Sequence, residues 1–384
     1  MNGTTDGGPR GGVMASLGLL LFGLLVGGAL AEVTTRVFAR ASSSELAGRL
    51  RNDPNEVHVE PHGDLGYRQR PDRTFGYRND TFATSNAMGF RGPEVPVAKP
   101  AGTIRVLLLG GSTTHGWGVP DDQTIDHFMR ERLASRYPGS AFDVVNLAFD
   151  GYDSYQLFER LRSDGLRLDP DFVIVNAGVN DVRNARYPDL QDRDPRTIIW
   201  LSEMIRLREE ARTGPSLWTQ TKRHLYLSRL PGAVRSQLSQ APDTLRTPYP
   251  DAMDNFERNL IRIVELAHGA GAVVLLSTEP SSLLTKYQPG DTSDISYWIG
   301  DAATTQAYRD SLEGRLQHVV DRRGYDDRSV VRVPYVRIAP ELFLDDAHLG
   351  PEGNSQMADA LIEALAPFIT AAMGGDLAHT SPHR

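Results

Sequence analysis

The chain has no cysteine in 384 residues, and lysine occurs only at 99, 222 and 286. The first absence excludes disulfides, thiolate metal sites and cysteine nucleophiles, and it leaves the compartment open. Basic charge is carried almost wholly by arginine, and the formal net charge is −8. A general nucleic-acid binder carries a basic footprint, so no nucleic-acid partner is expected. Apolar residues make up 40% and charged residues 23%, which is ordinary for a globular protein able to bury a large core. There is no internal repeat and no low-complexity tract.

Charge is also missing from one long run. Gly11 to Ala31 holds 21 positions without a charged residue. As a helix that run would be roughly 31 Å long, matching a hydrocarbon core of about 30 Å. Two readings compete. Ala29-Leu30-Ala31 resembles a signal-peptidase site, but the run exceeds the h-region of a typical signal peptide and only Arg10 precedes it. Helical periodicity continues through Glu32, Arg36 and Arg40, spaced four apart. An uncleaved single-pass anchor at 11–33 is the favoured expectation. Arg36, Arg40, Arg49 and Arg51 outnumber Arg10, which points the following part inward. Long domains translocate largely regardless of that bias, and an extracytoplasmic domain is expected. Residues 1–10 form a tail, and 34–100 a stalk and an extension draped over the next domain, with Thr81 to Arg91 as a short hairpin or strand. Pro93, Pro96 and Pro100 mark the linker.

Residues 101–373 alternate strand and helix patterns. Ile104 to Leu109, Phe142 to Leu147, Asp171 to Asn176, Ala272 to Ser277 and Val330 to Pro334 read as buried strands. Gln123 to Tyr137, Ser154 to Leu166, Met253 to His268 and Thr305 to Arg323 carry helical spacing between them. Pro351 opens a last helix to about Met373, where a missing N–H costs nothing. The insertion 182–250, with Trp200, Trp218 and Tyr226, is expected to be helical in parts, and its tryptophans to pack in a lid or core. The tail 374–384 is expected to be disordered. The pattern predicts one doubly wound α/β domain.

The first strand ends in Gly110-Gly111-Ser112, and the carboxyl edge of an open parallel sheet is where ligands gather. A serine on such a turn is a nucleophile or part of a phosphate cradle. The P-loop pattern fails, because Trp117 stands where its lysine must be; the dinucleotide pattern fails at Asp121. A nucleophilic serine needs a histidine base, and that base needs an acceptor to fix its tautomer. Asp345 and His348, three apart after the last strand, supply both. Gly151 offers a backbone N–H and Asn180 a side-chain amide for a developing oxyanion.

Blander roles stand beside these. Ser112 can be a mere turn residue, Gly151 can serve turn geometry, and Asn180 or Asp181 can cap a helix. We assign the cap to Asp181. Asp345, Asp346 and His348 can ligate a metal, but no second ligand cluster stands out, so no metal or cofactor is expected. Asp346 is the rival acid, and three-residue spacing favours Asp345. His115 is expected at a pocket wall or the surface.

The blocks GGST with Ser112, NLAFDG with Gly151, GVND with Asn180, and DDAH with Asp345 and His348 resemble the signature blocks of the SGNH, or GDSL-type, hydrolases. They occur in that family's order over roughly Ile104 to Ile369. The usual GDS reads GGS here, which leaves serine chemistry intact. The G-x-S-x-G elbow of the α/β-hydrolases is absent. The resemblance implies a flavodoxin-like three-layer α/β/α fold. It also implies Ser112 as nucleophile, His348 as base and Asp345 as its partner. The oxyanion hole would be the Ser112 and Gly151 N–H groups with the Asn180 amide. The expected function is a membrane-anchored serine esterase acting on an acylated carbohydrate or lipid, on O-acetyl groups in the narrowest form. The alternatives are an O-acyltransferase on extracytoplasmic polysaccharide using the same residues, and a catalytically silent carbohydrate- or lipid-binding module.

Overall fold

The computed structural model describes residues 10–42, 58–77, 81–181, 225–228, 230–231, 234, 250–282, 302–322, 329–345 and 347–373. The stalk at 43–57, most of the insertion with Trp200 and Trp218, Asp346 and the tail 374–384 lie outside them. The chain divides into two compact units, Met1–Val57 with Gly214–Ala241, and His58–Thr213 with Pro242–Arg384.

In the first unit, helix α1 spans Arg10–Ala41 without a break at Ala29-Leu30-Ala31. Its leucines at 19, 20, 24 and 25 are each more than half exposed. By length and composition, Ala15–Ala41 is a candidate membrane span or signal sequence. Beyond the apolar run the helix gains a partner. The Glu32 carboxylate accepts the N–H groups of Tyr226 at 2.9 Å and Leu227 at 2.8 Å, and Arg36 donates to it at 2.6 Å. Ala39 is fully buried, with Tyr226 and Leu230 packed against it.

The second unit is built on five parallel strands. β5 (Thr103–Gly110), β6 (Ala141–Asn146), β7 (Phe172–Ala177), β8 (Val273–Thr278) and β9 (Val330–Arg332) lie in the order β6-β5-β7-β8-β9. Counted from the first parallel strand this is 2-1-3-4-5, the flavodoxin-like order. All six residues of β7 and all six of β8 are buried, which explains their unbroken apolar runs. Registers pair Gly110 with Asn176 and Ala177 with Thr278, so the strands end together at one edge.

Helices cover both faces. On one lie α3 (Ile125–Arg136) and α7 (Pro351–Met373), where Ile125, Met129, Leu133, Leu361 and Leu365 close over Val106, Leu108 and Ile174. Each such side chain, once buried, contributes about 1.5–3 kcal/mol. The other face carries α4 (Ser154–Arg160), α5 (Pro250–Gly269) and α6 (Ala302–Val320). The α4 helix is shorter than its sequence pattern predicts, because the chain widens into a π turn at Leu161–Gly165 and then tightens into a 3-10 turn at Leu166–Leu168. A Cβ at Gly165 would stand 2.8 Å from Leu161 Cδ1 and 3.2 Å from Leu107 Cδ1, so the turn packs directly on the sheet.

The extension forms two antiparallel hairpins, β1 (Val59–His62) with β2 (Gly66–Gln69), and β3 (Arg73–Gly76) with β4 (Phe82–Ser85). The second contains the strand expected near Thr81 to Arg91. A bridge from Arg91 to Asn146 joins the extension to β6.

Arg105, the one charge in the first strand's run, is fully buried. Its guanidinium donates to Asp143 at 2.8 Å and to the carbonyls of Pro96 at 2.9 Å, Val97 at 3.1 Å and Leu168 at 2.5 Å. A charge buried this way is tolerated only because every donor finds an acceptor. Arg105→Ala strands those acceptors and is expected to lower stability by roughly 3–5 kcal/mol. The shift in the urea midpoint checks it; an unchanged midpoint would show that water replaces the guanidinium.

Candidate active site

The site begins where β5 stops. Gly110 and Gly111 are required by crowding rather than by backbone sign: Gly111 has φ −85. A Cβ at Gly110 would lie 2.2 Å from Thr114 Oγ1 and 2.7 Å from the Asn176 carbonyl oxygen. One at Gly111 would lie 2.5 Å from Asn180 Nδ2, 3.0 Å from Glu279 Oε1 and 3.4 Å from the Tyr152 carbonyl oxygen. The loops after β6, β7 and β8 thus converge on the backbone just ahead of Ser112. The short helix α2 (Ser112–His115) follows, closed by Gly116 at φ 83. That residue needs the left-handed region, and it also leaves room for the Arg91 guanidinium.

His348 Nε2 stands 2.8 Å from Ser112 Oγ, and His348 Nδ1 stands 2.7 Å from Asp345 Oδ2. With Nδ1–H donating to the carboxylate, Nε2 is left to accept from the serine hydroxyl. Asp345 is further fixed by its own loop, since Oδ1 accepts the N–H groups of Ala347 at 2.9 Å and His348 at 2.8 Å. Partial burial pushes the Asp345 carboxyl up, but the hydrogen bond and charge of His348 and the two N–H groups outweigh it. The net shift is downward, which keeps the acid ionised. Thr113 then ties α2 to this loop by donating to the Ala347 carbonyl at 3.1 Å.

Asn180 is buried beside Gly111, and its Nδ2 donates to the Tyr152 carbonyl at 2.9 Å. Gly151, one residue before Tyr152, has φ 77, a region glycine enters at no steric cost. Ser112, His348, Asp345, Gly151 and Asn180 are therefore gathered at one sheet edge, at the point where strand order reverses. The N–H groups that Asp181 is expected to cap lie outside the described residues. Asp181 itself accepts the N–H of Ser154 at 3.0 Å, at the start of α4, where Asp153 is the N-cap. Burial, then Asp153 and Glu279, pushes the Asp181 carboxyl well up.

Several residues around the site were invisible in the sequence. Arg91 is buried and donates to the carbonyls of His115 at 2.8 Å, Gly116, and Val119 at 2.5 Å, with Nε on Asp121 at 3.0 Å. It sets the turn that carries Trp117, whose ring lies 4.4 Å from that of His348. Tyr67 OH donates to the Asp150 carbonyl at 2.8 Å, and Tyr152 OH returns to the Tyr67 carbonyl at 2.9 Å, clamping the Gly151 loop. His115 is neither at the surface nor at a pocket wall. It is fully buried, 3.1 Å from Asp150 Oδ1 and 3.2 Å from Gln69 Oε1. The extension supplies its cover. Among the described residues no group of acidic, histidine or cysteine side chains is arranged to hold a metal ion.

The protein is a flavodoxin-like α/β protein with a serine, a histidine and an aspartate clustered at one sheet edge. The chain belongs to the GDSL-like lipase/acylhydrolase family, whose model matches residues 108–356, and it is an ester hydrolase of that type. No curated protein matches it. Among solved structures it is similar to TesA, with 15% identity over 68% of this chain and 98% of that one, at a TM-score of 0.40. It is also similar to a putative acylhydrolase from Bacteroides fragilis, with 18% identity over 69% and 88%, at 0.38. A third similarity is to the acetylxylan esterase Axe2 from Geobacillus stearothermophilus, with 15% identity over 68% and 94%, at 0.39.

Asp150 offers a test of how the extension holds this edge. Burial pushes its carboxyl up, but the charge and hydrogen bond of His115, with smaller contributions from His58 and His348, bring it below the ordinary aspartate range. A depressed acid stabilises the fold above its unfolded value, about 3.9, and that stabilisation is lost as pH falls through the lower folded value. Asp150→Asn is therefore expected to unfold at lower urea than the parent at pH 7, with the gap closing below about pH 4. A gap independent of pH would contradict the assignment.

Proposed function

We propose that the chain is a membrane-anchored serine esterase that cleaves O-acyl esters, O-acetyl esters in the narrowest form, with Ser112 as nucleophile. The observation that carries this is the continuous chain Asp345–His348–Ser112, with links of 2.7 and 2.8 Å. His348 takes the Ser112 proton as Oγ attacks the acyl carbon, and the imidazolium is stabilised by Asp345. The carbonyl oxygen becomes an oxyanion facing the Ser112 and Gly151 N–H groups and the Asn180 amide. Collapse expels the alcohol, which takes its proton from His348. Water, deprotonated in turn by His348, then frees the acid and restores Ser112.

Anchoring by α1 is supported by its exposed apolar surface. Retention of the helix, rather than cleavage after Ala31, is supported by the unbroken helix there and by Glu32 holding Tyr226 and Leu227. A protease needs that stretch extended, whereas it is helical, and Glu32, the first residue after the candidate cleavage point, is held in place by the Tyr226 and Leu227 N–H groups. An extracytoplasmic position for the second unit completes the proposal, and a reporter enzyme fused after Arg384 tests it: activity confined to the cytoplasmic form would contradict it.

For the chemistry, the full chain is assayed on 4-nitrophenyl acetate and its eight-carbon homologue, with and without a sugar acceptor. Ser112→Ala is expected to lower turnover by roughly 10³-fold or more. Asn180→Ala is expected to lower kcat by about 10²–10³-fold with KM little changed. Acetate is expected to turn over faster than octanoate. Undiminished turnover in Ser112→Ala would refute the nucleophile, and acyl transfer in excess of hydrolysis would make the enzyme a transferase.

A further inference from the structure

Glu279 follows β8 directly, so it stands just beyond the carboxyl edge of the sheet. It is almost wholly buried, and it is not one of the residues whose chemistry the triad or the oxyanion donors require. Its carboxylate reaches across the end of β7. Oε2 accepts the N–H of Val179 at 3.0 Å, and the carboxylate also accepts the N–H of Gly111. Oε1 lies 3.0 Å from the point where a Cβ on Gly111 would sit. Val179 precedes Asn180, and Gly111 precedes Ser112.

We propose that Glu279 is a positioning residue for the reaction, a single carboxylate that fixes the Ser112 turn against the Asn180 turn. The inference rests on the roles proposed above for those two residues. The geometry needs both the length and the charge of glutamate. β5 and β8 flank β7, and adjacent strands are about 4.8 Å apart, so a side chain starting beyond β8 must cross the end of β7 to reach Gly111. Aspartate, one methylene shorter, reaches Val179 but not both. Glutamine spans the distance but turns a donor toward one of two donors, so one N–H loses its acceptor.

Protonation weakens the brace in the same way, because one oxygen becomes a hydroxyl. Burial pushes Glu279 up to about 7, against the pull of the Val179 N–H, His348 and the Gly111 N–H. The other titratable group that interacts with it is Asp181, whose own carboxyl burial pushes well up. The ionisation of Glu279 thus adds a step to the acid side of activity, because its carboxylate must be charged to hold both turns.

The test compares Glu279→Gln and Glu279→Asp with the full-length parent on 4-nitrophenyl acetate from pH 5 to 9, with thermal unfolding of each. Both variants are expected to lower kcat by about 10–100-fold with KM within about twofold, since a small misplacement of reacting groups costs that much. In the parent, the acid limb of log kcat/KM is expected to be steeper than in Glu279→Gln by one ionisation. A residue with a merely structural role would lower the unfolding temperature and leave the acid limbs of parent and variant with the same slope. Should Glu279→Gln fail to fold, Glu279→Asp keeps the charge and reads the loss of reach alone. Parental kcat in the folded variants, or an unchanged acid limb, overturns the inference and leaves Ser112 as nucleophile intact. A parent without Ser112-dependent turnover overturns both.

Discussion

The site depends on bare backbone at Gly110 and Gly111. A methyl group at 111 would stand 2.5 Å from Asn180 Nδ2, and one at 110 would stand 2.2 Å from Thr114 Oγ1. Because neither position carries a side chain, the loops after β6, β7 and β8 can all touch the turn that presents Ser112. The 2-1-3-4-5 strand order makes that turn the place where the sheet's connections diverge to opposite faces, which opens a crevice there. His348 then reaches Ser112 from the loop after β9, held by an aspartate three residues away whose carboxylate is bonded by its own loop. Preorganisation of this kind is what the proposed base needs for charge to develop on its imidazole without a change of surroundings.

The N-terminal extension is part of that preorganisation. Residues 58–92 do not simply lie across the domain; they supply buried polar groups to its working loops. Arg91 satisfies three carbonyls at the end of α2 and in the turn after it, and Tyr67 donates to the Asp150 carbonyl while its own carbonyl accepts from Tyr152, which clamps the Gly151 loop. Buried carbonyls without partners are costly, so without Arg91 that turn would have to rearrange, and the Trp117 ring against His348 would move with it. The loops at the proposed site are held by a second layer of side chains, drawn largely from the extension, that closes on them.

The central sheet was legible in the sequence because buried parallel strands write themselves as Val, Ile and Leu runs. All five were located to within about two residues, the end effects being those of strand fraying and of turns. The Ser112, Gly151, Asn180 and Asp345–His348 blocks were legible because each follows a strand whose end could be read. What was not legible was any residue whose partner is remote. Glu279 sits in a Ser-Thr-Glu-Pro-Ser stretch that reads as an ordinary loop, and only the register of β8 against β7 brings it to Gly111. Arg91 and Tyr67 lie in a Gly- and Pro-rich segment with little periodicity, where burial leaves no pattern. His115 looked like a wall or surface residue because polarity, taken alone, predicts exposure; its cover comes from Phe75 and Tyr77, some forty residues earlier.

The central claim is that the Ser112 hydroxyl, activated by His348, becomes covalently acylated. The most direct measurement is reaction of the full-length chain with a fluorophosphonate, read by intact-mass and peptide mass spectrometry. One adduct per chain, on the peptide carrying Ser112 and absent from Ser112→Ala, is the expected result. Ester turnover that persists while Ser112 stays unmodified, or an adduct on a different residue, would contradict it.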